Sequence, residues 1–269
     1  MNLTARDIFP GLDTQIPESR FIRVSKAIDS LFQKTLTYLE NGQPFIITGD
    51  IPAMWLRDST WQVSPLLNSN HLDVIQLLID LSKTQVELFL IDPYANAFNP
   101  VPNGKCWHKD FPDQSPWVFE RKYELDSWAS VLYLARMITE KYGRIDHIDV
   151  SFKEALSLML NLAKIEQNHD PESYIFKRNN DVPHDSLSHN GRGAPTAYTG
   201  MVYSAFRPSD DACMYGYLVP SNLFFLNELE QLPETLKSLE SQNLAKAIRA
   251  GVEKFAIIDG KYAYEVDGH

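Results

Sequence analysis

Cysteine is nearly absent from this chain. Its 269 residues hold two, Cys106 and Cys213, and neither sits in a Cys-x-x-Cys pair or at Cys/His ligand spacing. A disulfide framework and a structural zinc site both drop out, so free thiols and no metal are expected. Long apolar runs are missing as well. No window approaches the ~20 apolar residues of a membrane span, and the opening MNLTARDIFPGLDTQ carries no secretory-type stretch. The expectation is a cytoplasmic protein with no membrane association, in which the sequon Asn2-Leu3-Thr4 is accidental. Positive charge is in short supply: 25 Lys and Arg stand against 35 Asp and Glu, a net charge of −10. Without a basic stripe the chain has no footprint for a phosphate backbone, which excludes nucleic acid as partner.

Other absences narrow the chemistry. There is no GxxxxGK phosphate loop, no GxSxG elbow and no HExxH, and the seven histidines show no i, i+4 pair. Nucleotide hydrolysis and zinc hydrolysis are thereby set aside, and no cofactor is implied. No Gly/Ser-rich or Pro-rich linker divides the chain, so residues 1–269 read as one large domain or part of one.

What is present is helical periodicity. Ile28, Leu31, Phe32, Thr35, Leu36 and Leu39 recur at three and four, as do Trp128, Val131, Leu132, Ala135 and Ile138. The same stripe runs through Phe152 to Ala163 and through Leu236 to Phe255. Further helices fit Leu72–Leu90 and Ala212–Leu229, the latter expected to kink or break near Pro220. Strand alternation is nearly missing. About seven helices long enough to pair antiparallel put the chain in the all-α class.

Two long polar and aromatic segments, Asp92–Tyr123 and Gln167–Ser209, separate these helices. Structureless loops of that length are uncommon in compact domains and usually functional. The first ends in Glu120-Arg121-Lys122-Tyr123-Glu124-Leu125-Asp126-Ser127-Trp128; the second contains Ser188-His189-Asn190-Gly191-Arg192-Gly193.

The richest stretch is Arg207 to Tyr217, RPSDDACMYGY. Adjacent carboxylates repel, and their contact raises the pKa of one member toward the range of a general acid. The competing reading is a helix start, with Ser209 as cap and both aspartates against the helix dipole. Asp210 and Asp211 also begin a DDxxD magnesium-diphosphate motif. The fifth position is Met214, however, and no basic cluster waits for a diphosphate.

Earlier comes GDIPAMWLRDST, Gly49 to Thr60. Asp58 or Ser59 reads as a helix cap and Arg57 as a brace for turn carbonyls. The alternative is a binding site: Arg57 and Asp58, beside Trp55 and Trp61, supply a donor fork, an acceptor and stacking faces. A neutral polyhydroxylated ring needs that set.

GDIPAMWLRDST, IDPYANAFN (Ile91 to Asn99), SPWVFERKYELDS (Ser115 to Ser127) and FRPSDDACMYGYLVPSN (Phe206 to Asn222) together closely resemble glycoside hydrolase family 125. The resemblance implies a metal-independent exo-α-1,6-mannosidase on an (α/α)6 barrel, acting with inversion on mannose-containing oligosaccharides or N-glycan fragments. It implies no obligate protein partner for the complete protein. Carried over by position, it makes Asp210 the general acid and Asp211 its neighbour, a choice the residues alone leave open. It also implies that Arg57 and Asp58 hold the cleaved sugar, with Glu124 and Asp126 lining the site. Trp55, His189 and Arg207 stand further out, either supporting the site or bracing loops.

An inverting glycosidase needs a second carboxylate about 6.5–9.5 Å from the acid, to activate water on the other face of the ring. The family's base glutamate lies beyond the point matched by His269, and Glu265 is not promoted in its place. A six-hairpin barrel also needs about twelve helices, where about seven are counted. Residues 1–269 are therefore expected to be the N-terminal part of one barrel domain, with exposed apolar edges. Two alternatives follow from the missing base: a non-catalytic sugar-binding remnant, and a helical module that joins a partner.

Overall fold

The computed structural model describes residues 3–169, 173–180 and 182–269. Seven helices of eight or more residues lie among them: α1 (Glu18–Ser30), α2 (Leu56–Val63), α3 (Leu72–Ile91), α4 (Leu125–Tyr142), α5 (Val150–Glu166), α6 (Val219–Glu230) and α7 (Leu239–Phe255). From α2 onward they alternate between two layers. One layer packs α2 against α4 and α4 against α6; the other packs α3 against α5 and α5 against α7. Contacts of α3 with α4, and of α6 with α7, join the layers. Their apolar stripes, including Trp128, Leu134, Met159, Phe225 and Ile248, merge into one buried core.

Local chemistry sets the ends of these helices. The Asp149 side chain accepts from Phe152 N at 3.0 Å to cap α5, and Ser238 with Ser241 forms a capping box on α7. Gly143, at φ 65°, closes α4 by donating its N–H to the Thr139 carbonyl. None of the described helices is long and apolar enough to cross a membrane.

Four expectations need correction. The stripe from Ile28 to Leu39 is not one helix, because α1 ends at Ser30 and a π-turn spans Leu31–Thr35. The Thr35 hydroxyl donates to the Leu31 carbonyl at 2.8 Å, and the next residues form strand β1 (Leu36–Tyr38). β1 pairs antiparallel with β2 (Pro44–Ile46) around Asn41-Gly42, so β-branched and aromatic residues prevailed over helical spacing. Pro220 does not kink a helix running from Ala212. It sits in the first turn of α6, where its missing N–H has no helical partner to lose.

Strands are also more numerous than the weak alternation indicated, though each is only two or three residues long. β3 (Met54–Trp55), β4 (Ala97–Phe98) and β5 (Val118–Glu120) form an antiparallel sheet. β6 (Tyr217–Leu218) pairs with β9 (Glu265–Val266), and β7 (Ile257–Ile258) with β8 (Lys261–Tyr262) across an Asp259-Gly260 turn. Three of the recognised motifs become β3, β4 and β5. The segments 92–123 and 167–209 are thus not structureless: the first contributes two strands of this sheet, the second a 3-10 turn at Pro183–Asp185.

Candidate active site

The first-layer helices α2, α4 and α6 bring their N-terminal ends together. Gln85, buried on α3, fixes the start of α2 by donating to the Leu56 carbonyl and the Ser59 and Thr60 hydroxyls at 3.2, 2.9 and 2.8 Å. The Thr60 hydroxyl reaches the Ser130 carbonyl of α4, and the Ser221 hydroxyl of α6 donates to Asp126 Oδ1 at 3.2 Å.

Arg57 is the hub of this junction. Its Nη1 donates to Glu124 Oε2 at 2.5 Å and to Asp126 Oδ2 at 3.3 Å, and Nη2 reaches Asp58 Oδ2 at 3.5 Å. Burial disfavours the guanidinium charge, yet Glu124, Asp126, Asp58 and Asp210 together hold its pKa above the ordinary value. Burial also pushes Glu124 well above the usual carboxylate range. Arg57 pulls it back, while the charges of Asp126 and Asp210 add to the rise. Asp126 is raised by burial and lowered by Arg57. The Ser127 hydroxyl donates to Glu124 Oε2 at 2.9 Å, whereas Glu124 Oε1 is buried without a partner in the protein. Arg57 thus contacts carboxylates rather than carbonyls, and Asp58 lies in the first turn of α2 rather than capping it.

Asp210 and Asp211 do not start a helix. They occupy a tight loop before β6, in which Asp210 N donates to the Arg207 carbonyl and Arg207 N to that of Asp211. Ser209 caps nothing; its hydroxyl donates to Asp211 Oδ2 at 3.0 Å. The two carboxylates part company. Asp211 is partly exposed, 3.5 Å from His184, while Asp210 has one oxygen buried without a protein partner and a backbone φ of 65°. The Asp210 charge acts on Arg57, Glu124 and Glu120.

Beneath this loop lies a set of charges that the sequence reading missed. Lys122, 2% exposed, donates from Nζ to Asp185 Oδ1 at 2.5 Å and to the Asp210 carbonyl at 2.7 Å, with Glu120 at 3.8 Å. Arg178 grips Asp110 with two bonds of 2.8 and 2.7 Å, Glu120 at 2.9 Å and Asp185 at 3.1 Å. Burial works against the Asp185 charge, but Lys122 and Arg178 draw its pKa down to about 2. Burial raises Glu120 despite Lys122, with Asp210 adding to the rise. These partners are scattered over 76 positions of sequence, from Asp110 to Asp185, and have no local signature.

The remaining predicted residues fall further out. Trp55 is buried edge-on against Phe119, at 5.6 Å between centroids, and Trp61 stacks on Tyr133 at 5.1 Å. Trp55 therefore has no free stacking face. His189 is exposed, at φ 49°, and bonds its neighbour Ser188 at 2.9 Å. Arg207 donates to Glu265, which also accepts from Met214 N and Tyr215 N at 2.8 and 3.1 Å. Glu265 is thereby engaged as a clamp on the Asp210 loop. A concavity of about 1080 Å³ lies elsewhere, at the C-terminal end of α5 between Tyr94, Arg121, Lys164 and Tyr198. Its described lining residues include no carboxylate, whereas Glu124, Asp126 and Asp58 all lie within 3.5 Å of Arg57.

Comparison with known proteins agrees with the family resemblance. The family model for metal-independent α-mannosidases, glycoside hydrolase family 125, matches residues 20–269. The chain belongs to this family. A solved family 125 structure from Streptococcus pneumoniae, in a non-productive complex with α-1,6-mannobiose, superposes with a TM-score of 0.88 and 36% identity. The match covers 96% of this chain and 65% of that one. The meiotically up-regulated gene 157 protein of Schizosaccharomyces pombe is 35% identical over 85% of this chain. The chain spans about half the length of that relative, 51%.

Proposed function

We propose that the complete protein is an exo-α-1,6-mannosidase that releases mannose from the non-reducing ends of mannose-containing oligosaccharides, such as N-glycan fragments, with inversion. The observation that carries this reading is the Asp210 carboxylate. It sits beside the Arg57 cluster with one oxygen buried and unused by the protein. A buried polar atom without a partner calls for an explanation, and a catalytic role is one that fits a carboxylate here.

In this reading Asp210, as the acid, delivers its proton to the glycosidic oxygen while the C1–O bond breaks. Water attacks C1 from the opposite face and gives its proton to a carboxylate base. Arg57 and Asp58 hold the mannose ring, and Glu124 and Asp126 fix Arg57. Asp211 flanks the acid, Arg207 braces its loop, and Trp55 and His189 support the surrounding segments. Glu265 is committed to Arg207 and two backbone amides, and in this reading the base is the downstream glutamate that the family resemblance implies. The two-layer alternation from α2 to α7 supports an (α/α)6 barrel to which this chain supplies the first seven helices.

The test is hydrolysis of α-1,6-mannobiose by residues 1–269 beside a longer chain carrying the downstream helices, with the released anomer followed by proton NMR. Cleavage by the longer chain alone, giving β-mannose first, is the expected result. Cleavage by 1–269 would place a base within it, and α-mannose as first product would contradict inversion. Saturable mannose binding with no hydrolysis by either chain would favour a sugar-binding remnant.

A further inference from the structure

Asp210 is a non-glycine residue at φ 65°, a conformation that aspartate tolerates but does not prefer. Something must hold it there if its carboxyl is to keep one direction. Its own loop supplies two backbone bonds, and Phe206 N is anchored on the Tyr123 carbonyl at 3.0 Å. Glu265 and the bond from Ala212 N to the His184 carbonyl, 2.8 Å, hold the flanks of the loop, and a side-chain restraint on Asp210 itself is the 2.7 Å bond from Lys122 Nζ to its carbonyl.

That ammonium is an unusual choice for a backbone brace. Lys122 is 2% exposed, and burying an unpaired ammonium costs several kcal/mol. It is retained among matched partners: Asp185 at 2.5 Å, Glu120 at 3.8 Å and the Phe206 ring 5.1 Å below it. Arg178 braces both carboxylates in turn. The Lys122 main chain is also fixed, its N–H donating to Asn96 Oδ1 at 3.1 Å. A neutral donor would satisfy one carbonyl. An ammonium additionally joins the acid loop to a buried ion network, so the loop shifts only if that network does.

We infer that Lys122 is a positioning residue for the general acid, holding Asp210 in its left-handed backbone conformation so that the carboxyl faces the departing glycosidic oxygen. The inference rests on the proposed reading of Asp210 as the acid. Lys122 itself touches no reacting atom. Its loss should therefore impair proton delivery more than sugar binding, and the impairment should depend on how much the leaving group needs a proton.

The experiment compares two substrates in the complete protein: α-1,6-mannobiose, whose leaving oxygen must be protonated, and α-mannosyl fluoride, whose fluoride departs with little acid assistance. For Lys122→Met, kcat on mannobiose is expected to fall about 100-fold with KM little changed, as for a displaced catalytic group. On the fluoride it should stay within about threefold of the unsubstituted protein. Asp185→Asn loosens the ammonium without unpairing it, and should shift the same ratio by a smaller factor even if Lys122→Met fails to fold. Equal losses on both substrates, or no loss on mannobiose, would overturn the inference. Asp210→Asn, measured alongside, separates the two claims. If it too loses equally on both substrates, the acid assignment has failed and the inference about Lys122 fails with it.

Discussion

Arg57 and Glu124 lie 67 positions apart in the chain, yet Nη1 of one stands 2.5 Å from Oε2 of the other. The bond joins the first turn of α2 to the residue immediately before α4, inside a junction where Asp126 also accepts from the same nitrogen. One cation thus serves two buried carboxylates.

Removing that cation should be costly. Arg57→Met leaves Glu124 and Asp126 close together with no compensating charge, and the expected loss is about 3–5 kcal/mol of unfolding free energy. Adding Glu124→Gln should restore part of it, because one of the two repelling charges is gone. Urea denaturation of the single and double variants checks both points. A single-variant loss below about 1 kcal/mol would show that the triad is poorly coupled to stability.

Glu124 makes stability depend on pH in a definite direction. Its folded pKa is raised above the ordinary value of 4.5, so the folded state binds more protons than the unfolded one. From this group, stability should fall as pH rises from about 4.5 through the folded pKa. Glu124→Gln should flatten that part of the Tm-against-pH curve. An unchanged slope would mean that the carboxyl titrates normally in the fold.

Glu265 offers a sharp contrast between clamp and base. Three donors from Arg207, Met214 and Tyr215 converge on its carboxylate. Glu265→Ala in the complete protein should lower kcat about tenfold by loosening the acid loop, and added azide should not restore it. Azide rescue with formation of a glycosyl azide would identify Glu265 as the base instead.

Gly216 follows the acid loop at φ 79°, where an added Cβ would stand 2.6 Å from both Thr196 Cγ2 and Tyr203 Cε2. Gly216→Ala combines backbone strain with a clash and should destabilise by about 1–3 kcal/mol. Thermal unfolding at fixed pH measures it.

Most of the helical framework was legible because apolar periodicity is a local signal. The stripes over Trp128–Ile138 and Phe152–Ala163 correspond to α4 and α5, and Leu72–Leu90 to α3. The same rule misled at Leu36 and Leu39, where apolar spacing coincides with helical spacing but the partner is strand β2. Pro220 was visible as a helix boundary; whether it starts or breaks a helix depends on what precedes it. At the site, Arg57, Asp58 and the Asp210-Asp211 pair stood out as charged residues in aromatic company, while Glu124, Asp126 and the choice of Asp210 over Asp211 came through the family resemblance. That Glu124 is fully buried against Arg57, and that one Asp210 oxygen is buried without a protein partner, are consequences of tertiary packing. Lys122 shows the limit most clearly: in the sequence it is one charge among five in ERKYELD, and its role arises from Asp185 and Asp210, 63 and 88 residues away.

The central claim is that Asp210, and not its neighbour, is the acid. It is tested most directly by the rate of α-1,6-mannobiose hydrolysis in the complete protein carrying Asp210→Asn or Asp211→Asn. The predicted result is a loss of about 10²–10⁴-fold for the first, with the second retaining turnover within about tenfold of the unsubstituted protein. Near-normal hydrolysis by Asp210→Asn, or the greater loss in Asp211→Asn, would contradict the account.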